Sequence, residues 1–100
     1  MTRRAENDRA RAFDWYAANS SIAFAARWFN GVTRAMHSLA NMPERCHKAR
    51  ENSCFPFELF ELLYGKRLVK HRILFRIYKD VVLVLHIRHS AQSDLTEDDL

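Results

Sequence analysis

The stretch His71-Arg72-Ile73-Leu74-Phe75-Arg76-Ile77-Tyr78-Lys79-Asp80-Val81-Val82-Leu83-Val84-Leu85-His86-Ile87-Arg88-His89 decides the fold. Polar and apolar residues alternate on both sides of Lys79-Asp80-Val81, the period of a strand, so the segment reads as a β-hairpin. Its register follows from how the charges sort. With Lys79-Asp80-Val81 as a three-residue loop, Tyr78 opposes Val82, Arg76 opposes Val84, Leu74 opposes His86 and Arg72 opposes Arg88. Ile73, Phe75, Ile77, Leu83, Leu85 and Ile87 then share the other face. A two-residue loop slides one strand by a residue and mixes charges into both faces. The sorted register predicts one dry face for packing on helices. It predicts a second face carrying Arg72, Arg76, His86 and Arg88 around Leu74, Val82 and Val84. Two arginines directly opposed are destabilising unless an anion sits between them.

Upstream, Glu58-Leu59-Phe60-Glu61-Leu62-Leu63-Tyr64 alternates less cleanly, ends at Gly65-Lys66-Arg67, and predicts a third strand. Residues 43–57 hold both prolines and both cysteines and read as a connector. Before them the period is helical. Ile22, Ala25, Phe29, Val32, Met36 and Leu39 form one apolar stripe over about five turns. Gly31 lies inside it at a cost of roughly 1 kcal/mol relative to Ala, which suggests close packing against the preceding helix. Asn41-Met42-Pro43 stops this helix, because a residue before proline is pushed out of the α region. From Thr2 to Asn19, Ala5, Ala12, Phe13, Tyr16 and Ala17 recur at helical spacing. Asn19-Ser20-Ser21 offers a break and a new N-cap, so the two helices should form an antiparallel hairpin. The expected fold is therefore α+β: an N-terminal antiparallel helix hairpin packed on a C-terminal antiparallel three-stranded sheet.

One hundred residues make one domain, expected over 1–93, with 94–100 as an acidic tail. At 48% hydrophobic with two glycines and two prolines, the chain is neither disordered nor low-complexity. No apolar run is long enough to span a membrane, and a charged Met-Thr-Arg-Arg start is not a secretory signal, so a cytoplasmic location is expected. Cys46 and Cys54, with His47 adjacent, lack the four clean ligands of a zinc site. Reduced thiols, no metal and no cofactor are expected.

Charge is unevenly placed. Residues 1–64 carry net +2, residues 65–90 net +6 and residues 91–100 net −4. The basic block reads as a footprint for a polyanion or an acidic partner; the alternative is a merely solvated face. Within it Lys66, Arg67 and Lys70 form a basic turn that suits a nucleic-acid backbone or an acidic protein segment. Trp15 and Trp28 lie off the helical stripes, either meeting across the hairpin or marking a docking groove. The tail acids Asp94, Glu97, Asp98 and Asp99 could fold back on the basic face and partly mask it.

Six phrases in this order resemble the RelE/ParE superfamily of bacterial toxins. They are Arg27-Trp28-Phe29-Asn30, Met42-Pro43-Glu44-Arg45-Cys46, Phe55-Pro56-Phe57-Glu58, Leu62-Leu63-Tyr64-Gly65-Lys66-Arg67, Arg72-Ile73-Leu74-Phe75 and Val84-Leu85-His86-Ile87-Arg88-His89. The resemblance runs from about Thr2 to Ser93. It implies the toxin of a type II toxin–antitoxin system, with a role in plasmid stabilisation or growth inhibition, neutralised by a cognate antitoxin. The target it implies is DNA gyrase for ParE-like members, or ribosome-bound mRNA for RelE-like endoribonucleases. Three departures bear on that choice. The family's opening strand is missing, which would leave a sheet edge uncovered. Gln92 stands where ribonuclease members often carry a catalytic arginine. No aromatic residue follows Tyr78.

The departures lean away from an enzyme and toward a gyrase-directed ParE-like toxin. A RelE-like ribonuclease is the alternative, and a truncated, inactive remnant the third reading. In the ribonuclease case Arg72, which matches a strand arginine of the family, would clamp phosphate and His86 would move protons. His89 falls on the opposite face from His86, so the two could not serve one site without a bulge. The bland alternatives are Arg72 paired with an acid on a neighbouring element and His86 as a hydrogen-bonded, half-buried residue. In the binding case Lys66, Arg67, Lys70, Arg72, Arg76, Arg88 and His89 would meet target or antitoxin.

Overall fold

The computed structural model describes residues 1–66, 70–96 and 99. Helix α1 (Arg3–Asn19) starts at Thr2, whose Oγ1 accepts the Ala5 amide, and α2 (Ile22–His37) starts at Ser21, whose Oγ accepts the Phe24 amide. Such caps satisfy amide donors that have no partner inside the helix. The helices run antiparallel, as Phe13 on Phe29 and the Arg9–Thr33 hydrogen bond show. The stripe of α2 buries Ala25, Val32 and Met36, and Leu39 continues it in a 3₁₀ turn, Ser38–Ala40.

The sheet has four antiparallel strands in sequential order: β1 (His47–Lys48), β2 (Phe60–Tyr64), β3 (His71–Tyr78) and β4 (Val81–His89). The class is the expected α+β; the extra strand is the two-residue β1, in the connector and too short to carry a periodicity. It pairs His47 with Glu61 and Lys48 with Phe60.

The β3–β4 turn differs from the expected three-residue loop. It has two residues, Lys79 and Asp80, both left-handed with φ of 48° and 63°. That conformation matches the twist of a tight hairpin. Tyr78 therefore pairs with Val81, Ile77 with Val82, Arg76 with Leu83 and Phe75 with Val84. An irregularity at Leu74/Phe75 then absorbs Leu85, and Leu74 pairs with His86 and Arg72 with Arg88, as expected. The bulge restores the sorting that the short loop would have lost. Its consequence lies toward the turn: Val82 and Val84, not Leu83 and Leu85, join Ile73, Phe75, Ile77 and Ile87 against the helices.

Gly31 corrects a second expectation. Its open side faces the sheet rather than α1: a Cβ there would lie 1.7 Å from the Tyr64 hydroxyl. The glycine is thus a seat for the Tyr64 ring of β2.

The other face of the sheet is also covered. Connector residues Ala49, Phe55, Phe57 and Leu59 meet Leu74, Leu85 and the tail residue Leu95 in a second apolar cluster. Leu95 is buried, and its amide donates to Glu51 Oε2 over 3.1 Å. Of the tail acids, Asp94 meets Arg50 and the Asp99 carbonyl meets His86, while Glu97 and Asp98 lie outside the described residues. The tail sits as a strap on an apolar core instead of on a bare cationic surface.

Candidate functional site

The expected cationic face is largely spent on internal partners. Arg72 lies on the strap side of β3 and is 2% exposed. Its Nη1 and Nη2 donate to both Glu51 carboxylate oxygens at 2.8 and 2.5 Å, and its Nε donates to Glu61 at 2.7 Å. This is a bidentate fork with a second carboxylate on the third donor. Burial alone would push the Glu51 carboxyl up; the Arg72 hydrogen bonds and charge, with the Leu95 amide, outweigh it and hold the pKa at about 2. Arg72 in turn is raised above its ordinary value, first by the Glu51 hydrogen bond. Arg72 finds its anions in the connector, at Glu51, and in β2, at Glu61, while Arg88 bonds the Ser93 carbonyl. The expectation that Arg72 stands open to clamp a phosphate is corrected: its donors face Glu51 and Glu61.

Arg76 lies over the rings of Phe57 and Tyr78 at 4.2 and 5.1 Å, a cation–π arrangement. Arg88 donates from Nη2 to the Ser93 carbonyl at 2.7 Å. Lys66 is exposed beside Gly65, and the Lys70 carbonyl accepts the Ser90 amide. Arg67 lies outside the described residues.

His86 is buried on the same face as Arg72, near the β4 edge. Its Nε2 faces the Asp99 carbonyl at 3.0 Å, and a carbonyl only accepts, so this nitrogen carries the proton. Nδ1 faces Asp8 Oδ2 at 3.8 Å. Burial is the largest influence and lowers the pKa below the ordinary histidine value, against the Asp99 carbonyl. The imidazole is neutral and tied to the tail. His89 sits on the helix side beside His71, with ring centroids 5.2 Å apart, so the bulge does not bring the two expected histidines together.

Behind His89 lies a cluster that the helical stripes only hinted at. Trp28 is buried, its Nε1 donates to His71 Nδ1 at 3.3 Å, and Tyr16 meets the rings of Trp28, His71 and Phe24. Trp15 is 61% exposed and touches Tyr16 edge-on. Among the described residues the two indoles meet through Tyr16 and not each other.

The edge of β4 is not bare either. Thr2 donates from N and Oγ1 to the Val84 carbonyl at 3.0 Å, Asp8 Oδ2 accepts the Ile87 amide at 3.0 Å, and Gln92 Oε1 accepts the His89 amide at 2.7 Å. Three side chains thus cap the strand that a missing neighbour was expected to leave uncovered, a protection against edge-to-edge pairing. Gln92, at the position where the resemblance implies a catalytic arginine in ribonuclease members, has a structural task. Among the described residues no cluster of three metal-ligating side chains occurs, and no described helix is long and apolar enough to cross a membrane. Cys46 and Cys54 are both free.

A helix hairpin over an antiparallel sheet, closed along β4 and braced beneath by a connector carboxylate, makes this a small α+β domain. The family model for the ParE toxin of type II toxin–antitoxin systems, parDE, matches residues 1–94, and the chain belongs to that family. The match spans every helix and strand described above and ends inside the strap, before Leu95. No curated protein matches the chain.

Proposed function

We propose that this ParE-family toxin arrests growth by binding DNA gyrase and performs no chemistry of its own. The observation that carries this reading is the internal commitment of Arg72. Its donors are occupied by Glu51 and Glu61 at 2.5–2.8 Å. A metal-independent ribonuclease needs an unengaged cation where charge develops on the transferring phosphate, and a proton donor and acceptor beside it. His86, the histidine on that face, is buried and hydrogen-bonded to the tail, and Gln92 has no charge. Trp15, Ile22 and Met42 are large apolar side chains left exposed, the kind that anchor protein interfaces.

Membership in the family implies an antitoxin partner. The antitoxin segment we propose is acidic and lies along the helix hairpin, meeting Lys66, Lys70 and the exposed part of the basic block. Its binding weakens with salt but keeps an apolar component. A pull-down of the chain with its neighbouring gene product at low and high salt tests the pairing; recovery of the chain alone argues against it.

The target is tested by induced expression followed for plasmid topology and transcript integrity. Loss of negative supercoiling with intact bulk mRNA supports the gyrase reading. Rapid transcript cleavage that vanishes in Arg72→Ala, with the fold retained, replaces it with the ribonuclease.

A further inference from the structure

A groove of about 620 Å³ runs between α1 and the outer edge of β4. Arg4, Asp8, Arg11 and Trp15 line it from the helix, and Arg88 and Gln92 from the strand side. The four helix residues step by 4, 3 and 4 and therefore share one face of α1. Three guanidinium groups thus meet one carboxylate, and that carboxylate is already committed to Arg4 at 3.0 Å and to the Ile87 amide. Arg11 is exposed and, among the described residues, has neither an ion-pair nor a hydrogen-bond partner. Trp15, one helical turn on, presents its indole to solvent.

Two occupants would suit such a groove, an acidic peptide or a nucleic-acid strand. An extended peptide gains affinity by pairing its backbone with a strand edge. Here the edge groups of Val84, Ile87 and His89 are already satisfied by Thr2, Asp8 and Gln92. What the groove offers is side-chain chemistry, an aromatic face with cations at helical spacing. Bases stack on such a face whatever their identity, and phosphates pair with the cations. The volume lies within the range of sites that enclose a nucleotide-sized ligand.

We propose that the α1–β4 groove binds single-stranded nucleic acid, with a base on Trp15 and phosphates on Arg11 and Arg4, and with Arg88 adding charge from the strand. The site shares Trp15 with the exposed side chains named for protein recognition, but oligonucleotide binding at the groove can fail while the gyrase reading stands.

The test is fluorescence anisotropy of a labelled short oligodeoxythymidine titrated with the full chain, beside a labelled polyglutamate peptide of similar charge. The oligonucleotide should bind, and more weakly as salt is raised. Trp15→Leu should weaken it about tenfold through lost stacking. Arg11→Ala should weaken it and reduce the salt slope by about one phosphate contact. Both positions are exposed, and an unchanged thermal transition verifies the fold. Arg34→Ala, on the exposed side of α2 away from the groove, should leave binding intact. The proposal is overturned if the oligonucleotide does not bind, if polyglutamate binds as tightly, if Trp15→Leu has no effect, or if Arg34→Ala weakens binding as much as Arg11→Ala.

Discussion

Removing the charge of Glu51 while keeping its shape, as in Glu51→Gln, is the sharpest perturbation of the brace beneath the sheet. Its carboxyl is held at about 2 against an ordinary 4.5. That difference corresponds to roughly 3 kcal/mol of stability at neutral pH. The sign is that of a depressed carboxylate. The contribution is fully present above the unfolded value near 4.5 and is lost as pH falls toward 2. Urea unfolding followed by far-UV circular dichroism at pH 7, 5, 4 and 3 reads it directly. The wild type should lose stability progressively below about pH 5. Glu51→Gln should already be less stable at pH 7 by about 3 kcal/mol, because Arg72 stays buried with only Glu61 opposite. It should show a shallower acid slope. The double variant Glu51→Leu with Arg72→Met removes both charges and should recover much of the loss. A wild-type stability flat between pH 6 and 3, or a Glu51→Gln slope as steep as the wild type's, would refute the assignment.

Gly31→Ala should destabilise by about 1–3 kcal/mol despite the better helix former, since the new methyl meets the Tyr64 ring; Tyr64→Leu in the same chain should relieve it, as thermal unfolding of the pair will show. Leu95→Ala should cost about 2–3 kcal/mol and raise dye binding to exposed apolar surface, because the strap loses its anchor over Leu59 and Leu74. His86 contributes a second acid sensitivity. Its folded pKa is lowered by burial, so the unfolded chain takes up the proton first, and stability should begin to fall below about pH 6.5; His86→Phe should remove that early phase in the same urea series. Asp8→Ala should leave the Ile87 amide without its acceptor and open the β4 edge, giving concentration-dependent association by light scattering.

The fold was legible because its signals are local and periodic. The stripe from Ile22 to Leu39 and the alternation on either side of Lys79-Asp80 specify helices and hairpin without knowledge of their neighbours. The turn differs from its expected length because charge sorting cannot distinguish an odd loop from a two-residue loop followed by a bulge. Both oppose Leu74 to His86 and Arg72 to Arg88, and only the left-handed Lys79 and Asp80 separate them. Strand β1 was invisible because two residues carry no period. At the candidate site, the Arg72–Arg88 opposition pointed to an anion, and Arg72 finds two, Glu61 in β2 and Glu51. Glu51 lies in a connector whose path no periodicity constrains, so a buried ion pair looked like an open cationic face. Gln92 was readable as a departure from the ribonuclease pattern, but its role in capping the His89 amide depends on how the chain turns after β4.

The most direct measurement of the central claim uses purified components: gyrase supercoiling of relaxed plasmid, and cleavage of ribosome-bound mRNA, each titrated with the toxin. A toxin that acts by binding gyrase should inhibit supercoiling, the cognate antitoxin should restore it, and the mRNA should remain intact over the same range. Cleavage of ribosome-bound mRNA with gyrase unaffected would contradict the gyrase reading.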